Sequence, residues 1–277
     1  MRDVLLHAHI FKNAGSTLDW SLHRSFGEHF LPHRADKPMR QQPAETLRSS
    51  LEEHSGLLCL SSHALPCPAP KIEGVRFHTL LLLRHPLKRA RSVYAFERQQ
   101  EASTPGAQAA KRLSFEEYLR WRMRDDVGPT LRNFQTRYLA GQAARQPGYV
   151  TTRQTFQAAL DFLTREPYAG VVERYADSMV TFEEALGGRF PALDLAYRPQ
   201  NMTRASLSDE SLDWLDDLGA LRDELIDKNS YDLALYQVAQ SILDESIASV
   251  EGFERKLEAF RSRQAALTAR KSNAQPC

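Results

Sequence analysis

A nearly continuous apolar run constrains the fold of this chain more than any other feature. Residues 77–83 read FHTLLLL, a pattern typical of a parallel strand that is buried on both faces. Apolar runs at residues 4–8 and 56–62 predict two further strands, and patterns typical of helices lie between the runs. Each run is followed at once by polar or basic residues. This alternation predicts an α/β fold with a central parallel sheet that is flanked by helices.

The turn after the first predicted strand has the composition of an anion-binding loop. Residues 9–18 read HIFKNAGSTL, and Leu18 and Leu22 open a predicted helix. The first N–H groups of a helix have no partner within the helix, so they can point at an anion, and Gly15 lets the backbone come close. Lys12 adds a full positive charge. The P-loop ATPase motif is different, because its lysine follows the glycines.

A second basic segment follows the long apolar run. Residues 84–94 read RHPLKRARSVY. Pro86 suits the first turn of a helix and cannot extend the strand. Arg84 is therefore predicted at the end of the strand, and Ser92 about two helical turns further on.

These two segments carry a resemblance to a known family. The first is similar to the phosphosulfate loop of sulfotransferases that use 3′-phosphoadenosine 5′-phosphosulfate (PAPS), above all the carbohydrate branch, in which HIPKTGGTS is the usual form. Here Phe11 replaces the proline and Asn13 the threonine. The second resembles the RDPxxRxxSxY segment that grips the 3′-phosphate of PAPS, with His85 in place of the aspartate. The resemblance implies a P-loop-like three-layer sandwich with a helical C-terminal region.

The resemblance also implies roles for particular residues. Lys12 would stabilise the leaving phosphate, Arg84 and Ser92 would hold the 3′-phosphate, and no metal is required. The residues expected to bind the cofactor are Lys12, Asn13, Ala14, Gly15, Ser16, Thr17, Arg84, Ser92, Arg198, Asn201 and Thr203. The last three belong to a basic, hydroxyl-bearing segment at the place where related enzymes close a loop over PAPS.

A general base is needed to take the proton of the acceptor hydroxyl, and the ordinary pKa of histidine suits this role near neutral pH. His63 follows the predicted strand 56–62, and related enzymes place a catalytic histidine in a similar segment. His9 is expected either to contact the substrate or to pack at a strand end. In an open parallel sheet, ligands bind at the carboxyl ends of the strands, so Lys12, His63 and Arg84 are expected to converge on one edge.

The composition bounds the class of protein. The 277 residues favour one domain over residues 1–265, with a frayed tail at 266–277. The 36 basic and 35 acidic residues nearly cancel, whereas a general nucleic-acid binder would carry a basic excess.

No apolar stretch reaches the length of a membrane span. Three cysteines without metal-binding spacing indicate a reduced, cytoplasmic protein, with a Cys59–Cys67 disulfide as the alternative. With no signal peptide before the first strand, we expect a bare bacterial catalytic domain.

Three other segments carry structural predictions. Residues 100–112 are predicted to form a mobile loop, and Ser114 is predicted to cap the next helix. Asn133 and Gln135, in a segment similar to the NxQxxxLxG motif of bacterial sulfotransferases, either touch the acceptor or pack helices. Residues 236–260 are predicted to form one helix with a single apolar stripe. That stripe either packs on the protein's own domain or forms a homodimer contact.

The sequence therefore predicts a sulfotransferase that moves the sulfuryl group of PAPS to a hydroxyl of a carbohydrate or glycolipid acceptor. Two alternatives stay open. The first is a nucleotide kinase that uses ATP and magnesium, although the usual lysine position and a clear magnesium carboxylate are missing. The second is a non-catalytic nucleotide-binding protein, which would retain Arg84 and Ser92 without needing Lys12 or His63.

Overall fold

The computed structural model describes residues 1–165, 168–198 and 211–272. The strands are β1 (Arg2–Ala8), β2 (Phe30–Pro32), β3 (Cys59–Ser62), β4 (Val75–Leu83) and β5 (Tyr168–Val171). The helices before β5 are α1 (Gly15–Phe26), α2 (Asp36–Gln41), α3 (Pro43–Glu53), α4 (Pro86–Gln99), α5 (Pro105–Arg112), α6 (Phe115–Met123), α7 (Phe134–Leu139) and α8 (Arg153–Arg165). Those after β5 are α9 (Tyr175–Leu186), α10 (Ala220–Asp227), α11 (Ser230–Ser249) and α12 (Phe253–Ser272).

The strands form one parallel sheet in the order β2-β3-β1-β4-β5. The register pairs Ala8 of β1 with Ser62 of β3, and His7 with Leu80 of β4. After β1 the chain continues to β2, at one edge of the sheet, and after β4 it continues to β5, at the opposite edge. The order of strands therefore reverses between β1 and β4, and in open α/β sheets the crevice at such a point is where ligands bind.

Two apolar cores cover the two faces of the sheet. Alternate residues of β1 point to opposite faces, so that Leu5 joins one core and Leu6 the other. The first core includes residues of α1, α9 and α12, and the second includes residues of α2 and α3. The α/β three-layer sandwich with a helical C-terminal region, expected from the sequence, is confirmed.

The described chain divides into two compact units. The first comprises the described residues of 1–83, 161–201 and 238–277, and includes the sheet. The second comprises the described residues of 84–160 and 202–237, and is helical. The single domain over residues 1–265 stays a prediction. Within the described residues, no helix is both long enough and apolar enough to cross a bilayer.

The segment 100–112 differs from its prediction as a mobile loop, because most of it forms the helix α5. Thr104 caps the helix by accepting a hydrogen bond from the N–H of Ala107, and Pro105 occupies the first turn. Ala107 and Ala110 are fully buried. The small residues that suggested a loop instead let the helix pack closely. The predicted cap at Ser114 is confirmed, since Ser114 and Glu117 form a capping box at the start of α6.

The single helix predicted over residues 236–260 is wrong, because two helices, α11 and α12, meet there. Gly252 lies at the break with a left-handed φ of 65°, which glycine adopts without steric cost. The apolar stripe is buried in the protein's own core through Leu243, Leu257 and Phe260, so these side chains are not exposed to a second copy. The helix α12 reaches Ser272, past the start of the predicted tail.

Candidate functional site

Within the first unit, two histidines come together at the carboxyl edge of the sheet. Because β1 and β3 are parallel neighbours, the residues that follow them lie side by side: the N–H of His9 donates to the carbonyl of Ser62 at 3.1 Å. The rings of His9 and His63 are 4.0 Å apart, centroid to centroid. The predicted strand-end position of His63 is therefore what the structure has, and His9 is its direct neighbour.

The loop between β1 and α1 has the backbone of an anion-binding nest. Lys12 and Ala14 both adopt left-handed conformations, with φ of 65° and 58°, and Asn13 between them is not among the left-handed residues. Such alternation turns successive N–H groups toward one point, where they can bind an anion. Left-handed backbone is costly for residues other than glycine, and such strain concentrates at functional sites.

Asn13 anchors this loop to the sheet. Its side chain is buried and donates from Nδ2 to the carbonyl of Leu82 on β4, at 2.7 Å. The side chain that the sequence assigned to the cofactor therefore bonds to the sheet. The backbone N–H of Asn13 donates to the carbonyl of Ile10 at 3.2 Å, so Asn13 shapes the loop through both its side chain and its backbone.

The helix α1 begins directly at this loop, at Gly15. Its cap residue Ala14 makes no side-chain capping bond, and its carbonyl accepts the N–H groups of Thr17 and Leu18 at 3.0 and 3.2 Å. Ser16 is exposed, whereas Thr17 is buried. The cofactor residues predicted at positions 12–17 thus share one turn that joins the nest to the N-terminus of a helix of 12 residues.

Gly15 is required by packing against His9. A Cβ atom at position 15 would lie only 2.1 Å from Cδ2 and 2.3 Å from Nε2 of His9. The absence of a side chain at Gly15 therefore lets the imidazole lie directly against the start of α1. Gly15 is therefore needed for the packing of the His9 side chain as well as for the close approach of a ligand to the backbone.

His63 is held in one tautomer. Its Nδ1 lies 2.7 Å from the carbonyl oxygen of His9. A carbonyl only accepts, so Nδ1 carries the proton and donates it, which leaves Nε2 with a lone pair. Burial, helped by the neighbouring His9, lowers the pKa of His63 below its ordinary value. A neutral imidazole with an unprotonated Nε2 is the form that a general base needs.

The buried carboxylate of Asp19 bonds to two histidines, His7 in β1 and His9 just after that strand. The Nδ1 atoms of His7 and His9 lie 2.7 and 3.0 Å from the two oxygens of Asp19 on α1. Burial alone would raise the pKa of Asp19, but the hydrogen bonds and charges of His7 and His9 outweigh it and hold that pKa well below the ordinary range. Asp19 is therefore ionised, and both histidines donate to it. Burial lowers the pKa of His9 despite this hydrogen bond.

Sequence reasoning missed Asp19 and His7. A signal was present: His7 and His9 are two residues apart, which places them on one face of an extended segment, and Asp19 follows in the first turns of the next helix. The same three side chains lie close enough to hold a cation. Their ligand atoms already bond to one another, however, and the guanidinium of Arg34 approaches Asp19 to 3.9 Å. The cluster is thus satisfied by hydrogen bonds and carries a nearby positive charge.

In the second unit, Arg84 and Ser92 occupy their predicted places. Arg84 comes directly after β4 and is half-buried, and Ser92 is a buried residue of α4. Pro86 is the first residue of that helix. The backbone of Arg84 is held by Gln135, whose amide accepts from the N–H of Arg84 and donates to its carbonyl, both at 2.9 Å. Gln135 therefore has a structural contact with a candidate phosphate-binding residue.

Most other basic residues near these motifs have structural partners. Arg89 is fully buried; it donates to the carbonyl of Thr130 and lies over the ring of Phe134, and burial lowers its pKa to about 10. Arg122 forms a buried ion pair with Glu97. Two further arginines close to it in sequence pair with acidic neighbours on the surface, as Arg120–Glu116 and Arg124–Asp126. Arg120, Arg122 and Arg124 thus each have a carboxylate partner within the protein.

The third predicted binding segment is described only in part. Arg198 donates to the carbonyl of Leu267, and its guanidinium lies 5.9 Å from the ring of Trp20. Asn201 and Thr203 lie outside the described residues.

Comparison with known proteins gives a relative without an assigned activity. The chain is 28% identical over 197 residues to an uncharacterized protein of Archaeoglobus fulgidus, a match that covers 69% of this chain and 76% of that protein. No protein-family model matches the chain.

Proposed function

We propose that this protein is a sulfotransferase that moves the sulfuryl group of PAPS to a hydroxyl group of a carbohydrate acceptor. The observation that carries the proposal is the nest at Lys12 and Ala14, which lies immediately before the N-terminus of α1. Backbone N–H groups, a helix dipole and one lysine together favour a phosphate or sulfate group.

The charges around the loop support transfer to a hydroxyl. His63 presents an unprotonated Nε2, and the lowered pKa of its imidazole keeps it neutral near pH 7. In the proposed step, Nε2 of His63 takes the proton of the acceptor hydroxyl as its oxygen bonds to sulfur. The bond between sulfur and the 5′-phosphate oxygen breaks, and adenosine 3′,5′-bisphosphate leaves. The ammonium group of Lys12 offsets the negative charge that develops on the leaving oxygen.

The 3′-phosphate of the co-substrate is assigned to Arg84 and Ser92. A guanidinium matches the oxygens of a phosphate in a bidentate geometry, and a hydroxyl donates one further hydrogen bond. The acceptor is proposed as a saccharide or glycolipid hydroxyl, by the resemblance to the carbohydrate branch. No step of the proposed reaction is assigned to a metal ion.

The first test is ligand binding to the whole chain by thermal unfolding. Adenosine 3′,5′-bisphosphate, ATP with magnesium, and AMP are each added at the same concentration. A ligand at 100 times its Kd adds about 2.7 kcal/mol, which raises the Tm by very roughly 5–10 °C for a chain of somewhat smaller size. Stabilisation by the bisphosphate alone is expected. If ATP with magnesium stabilises the protein and the bisphosphate does not, the nucleotide kinase becomes the favoured function.

The second test is transfer of labelled sulfate from PAPS to a panel of saccharides. Lys12→Ala is expected to lower kcat by about 10²–10³-fold, as for other groups that stabilise a developing oxyanion, and the exposed Lys71 provides the matched control Lys71→Ala. His63→Asn is compared with His9→Asn to locate the base. Loss of turnover in the His9 variant with turnover retained in the His63 variant would assign the base to His9. Bisphosphate binding without any turnover would leave the non-catalytic alternative in place.

A further inference from the structure

Gln135 holds the backbone of Arg84 on both sides. Its Oε1 accepts the N–H of Arg84 and its Nε2 donates to the carbonyl of the same residue, each at 2.9 Å. Among neutral side chains, a primary amide alone combines a donor and an acceptor in the spacing that both backbone groups require. Gln135 is completely buried, so water does not compete for these hydrogen bonds. The chain is thereby fixed at the residue where it leaves β4.

Asp232 in turn fixes the position of Gln135. Its two carboxylate oxygens accept the backbone N–H of Gln135 at 3.0 Å and that of Thr136 at 2.7 Å, and also the hydroxyl of Thr136. These are N–H groups of the first turn of α7, which otherwise have no partner within the helix. Asp232 is fully buried, and its charge at a helix N-terminus is favourable.

The helix that carries Asp232 is capped from the other side. Asn133, with a left-handed φ of 45°, accepts the N–H groups of Tyr231 and Asp232 at the start of α11. Asn229 completes the exchange, since its side chain accepts the N–H of Asn133 and donates to the carbonyl of Leu131. The starts of α7 and α11 therefore cap one another. Neither helix start can shift without breaking buried hydrogen bonds of the other.

We infer that Gln135 is a positioning residue for Arg84, with Asp232 as the residue that holds Gln135 in place. This inference rests on the proposed function, in which Arg84 binds the 3′-phosphate. A flexible arginine binds phosphate better when its backbone is already fixed, because less conformational freedom is lost on binding. The network of Asn133, Gln135, Asn229 and Asp232 thus acts on the discrimination between a 3′-phosphorylated nucleotide and one without that phosphate.

The test measures this discrimination by calorimetry on the full chain. The Kd of adenosine 3′,5′-bisphosphate and the Kd of AMP are determined for the wild type and for Gln135→Met, which keeps the shape and removes both hydrogen bonds. We expect the bisphosphate to bind at least 10-fold more weakly to the variant, with the Kd of AMP unchanged. The exposed Gln154 supplies the control Gln154→Met, for which neither Kd should change.

A double-mutant cycle separates positioning from general stability. If Gln135 acts through Arg84, then Gln135→Met should cause no further loss of discrimination in an Arg84→Ala background. A lower Tm with an unchanged ratio of the two Kd values would overturn the inference and leave Gln135 a purely structural residue. If Gln135→Met fails to fold, Asp232→Asn is measured instead, with a smaller loss expected in the same direction and an unchanged ratio again counting against the inference.

The wild type distinguishes failure of the inference from failure of the proposed function. If the unmodified protein binds bisphosphate no better than AMP, the proposed function fails, and this inference fails with it. If the wild type discriminates and Gln135→Met discriminates equally well, the inference alone fails.

Discussion

Replacing Gly15 with alanine tests the packing at the centre of the candidate site. The new Cβ atom would lie 2.1–2.7 Å from three atoms of the His9 imidazole, which is far inside van der Waals contact. His9 cannot move aside freely, because it is bonded to Asp19 at 3.0 Å and its ring lies against that of His63, 4.0 Å away between centroids. The substitution should therefore break the His9–Asp19 hydrogen bond.

The expected cost follows from these contacts. Overpacking a core costs about 1–3 kcal/mol, and loss of a buried hydrogen bond to a charged group costs about 1.5–3 kcal/mol. We expect Gly15→Ala to lower the free energy of unfolding by about 3–5 kcal/mol, measured by urea denaturation at pH 7. Gly188→Ala is the matched control, since a Cβ there meets nothing within 4 Å, and its effect should stay within about 1 kcal/mol.

A double-mutant cycle with His9→Ala makes this reasoning refutable. Removing the imidazole removes the clash, so that in the His9→Ala background Gly15→Ala should cost less than about 0.5 kcal/mol. An equal cost of Gly15→Ala in both backgrounds would show that His9 does not pack on Gly15. If Gly15→Ala unfolds with the same free energy as the wild type, the close contact between position 15 and the His9 ring is refuted.

Three further predictions concern the rest of the molecule. Arg122→Met should lower the unfolding free energy by about 3–5 kcal/mol in urea, because the buried Glu97 loses its cation; a smaller loss in Arg122→Met/Glu97→Leu than in the single variant is expected, and equal losses would contradict this. Gly252→Ala should lose about 1 kcal/mol relative to Gly188→Ala, since an L-residue is strained at the φ of 65°; equal stability of the two variants would count against it. Because burial lowers the native pKa values of His9 and His63, the unfolded chain takes up protons more readily as the pH falls through about 6.5. Unfolding free energy should therefore decrease from pH 7.5 to 5.5, and less steeply in His63→Gln; identical slopes would exclude a role for His63.

The fold was predictable because its signals are local. The run at residues 77–83 is typical of a strand that is buried on both faces, and it forms β4. Proline at position 86 and serine at position 114 begin helices where their backbone and side-chain chemistry requires it. The segment 100–112 was predicted wrongly, because its alanines and Gly106 resemble loop residues until the partners they pack against are known. A Cβ at Gly106 would meet Arg122 and Glu97 within 2.5 Å.

The break between α11 and α12 shows the same limit. The apolar stripe from Tyr236 to Phe260 is compatible with one helix, and glycine inside a helix costs only about 1 kcal/mol. Burial of both halves of the stripe, with Gly252 left-handed between them, outweighs that small local preference. Such cases are decided by packing among residues that are distant in sequence, and a local stretch of about ten residues does not reveal that packing.

The sequence by itself determined the parallel α/β class, the order of strand, loop and helix around Lys12, and the strand-end positions of His63 and Arg84. Those features depend on hydrophobic periodicity and on the backbone chemistry of glycine and proline, which act within a few residues. Only the tertiary structure decided that Asp19 bonds to His7 and His9, that His63 donates its Nδ1 proton to His9, and that Gln135 holds Arg84. These contacts join residues up to 54 positions apart, and a hydrogen bond of this kind exists only once folding has placed donor and acceptor about 3 Å from each other.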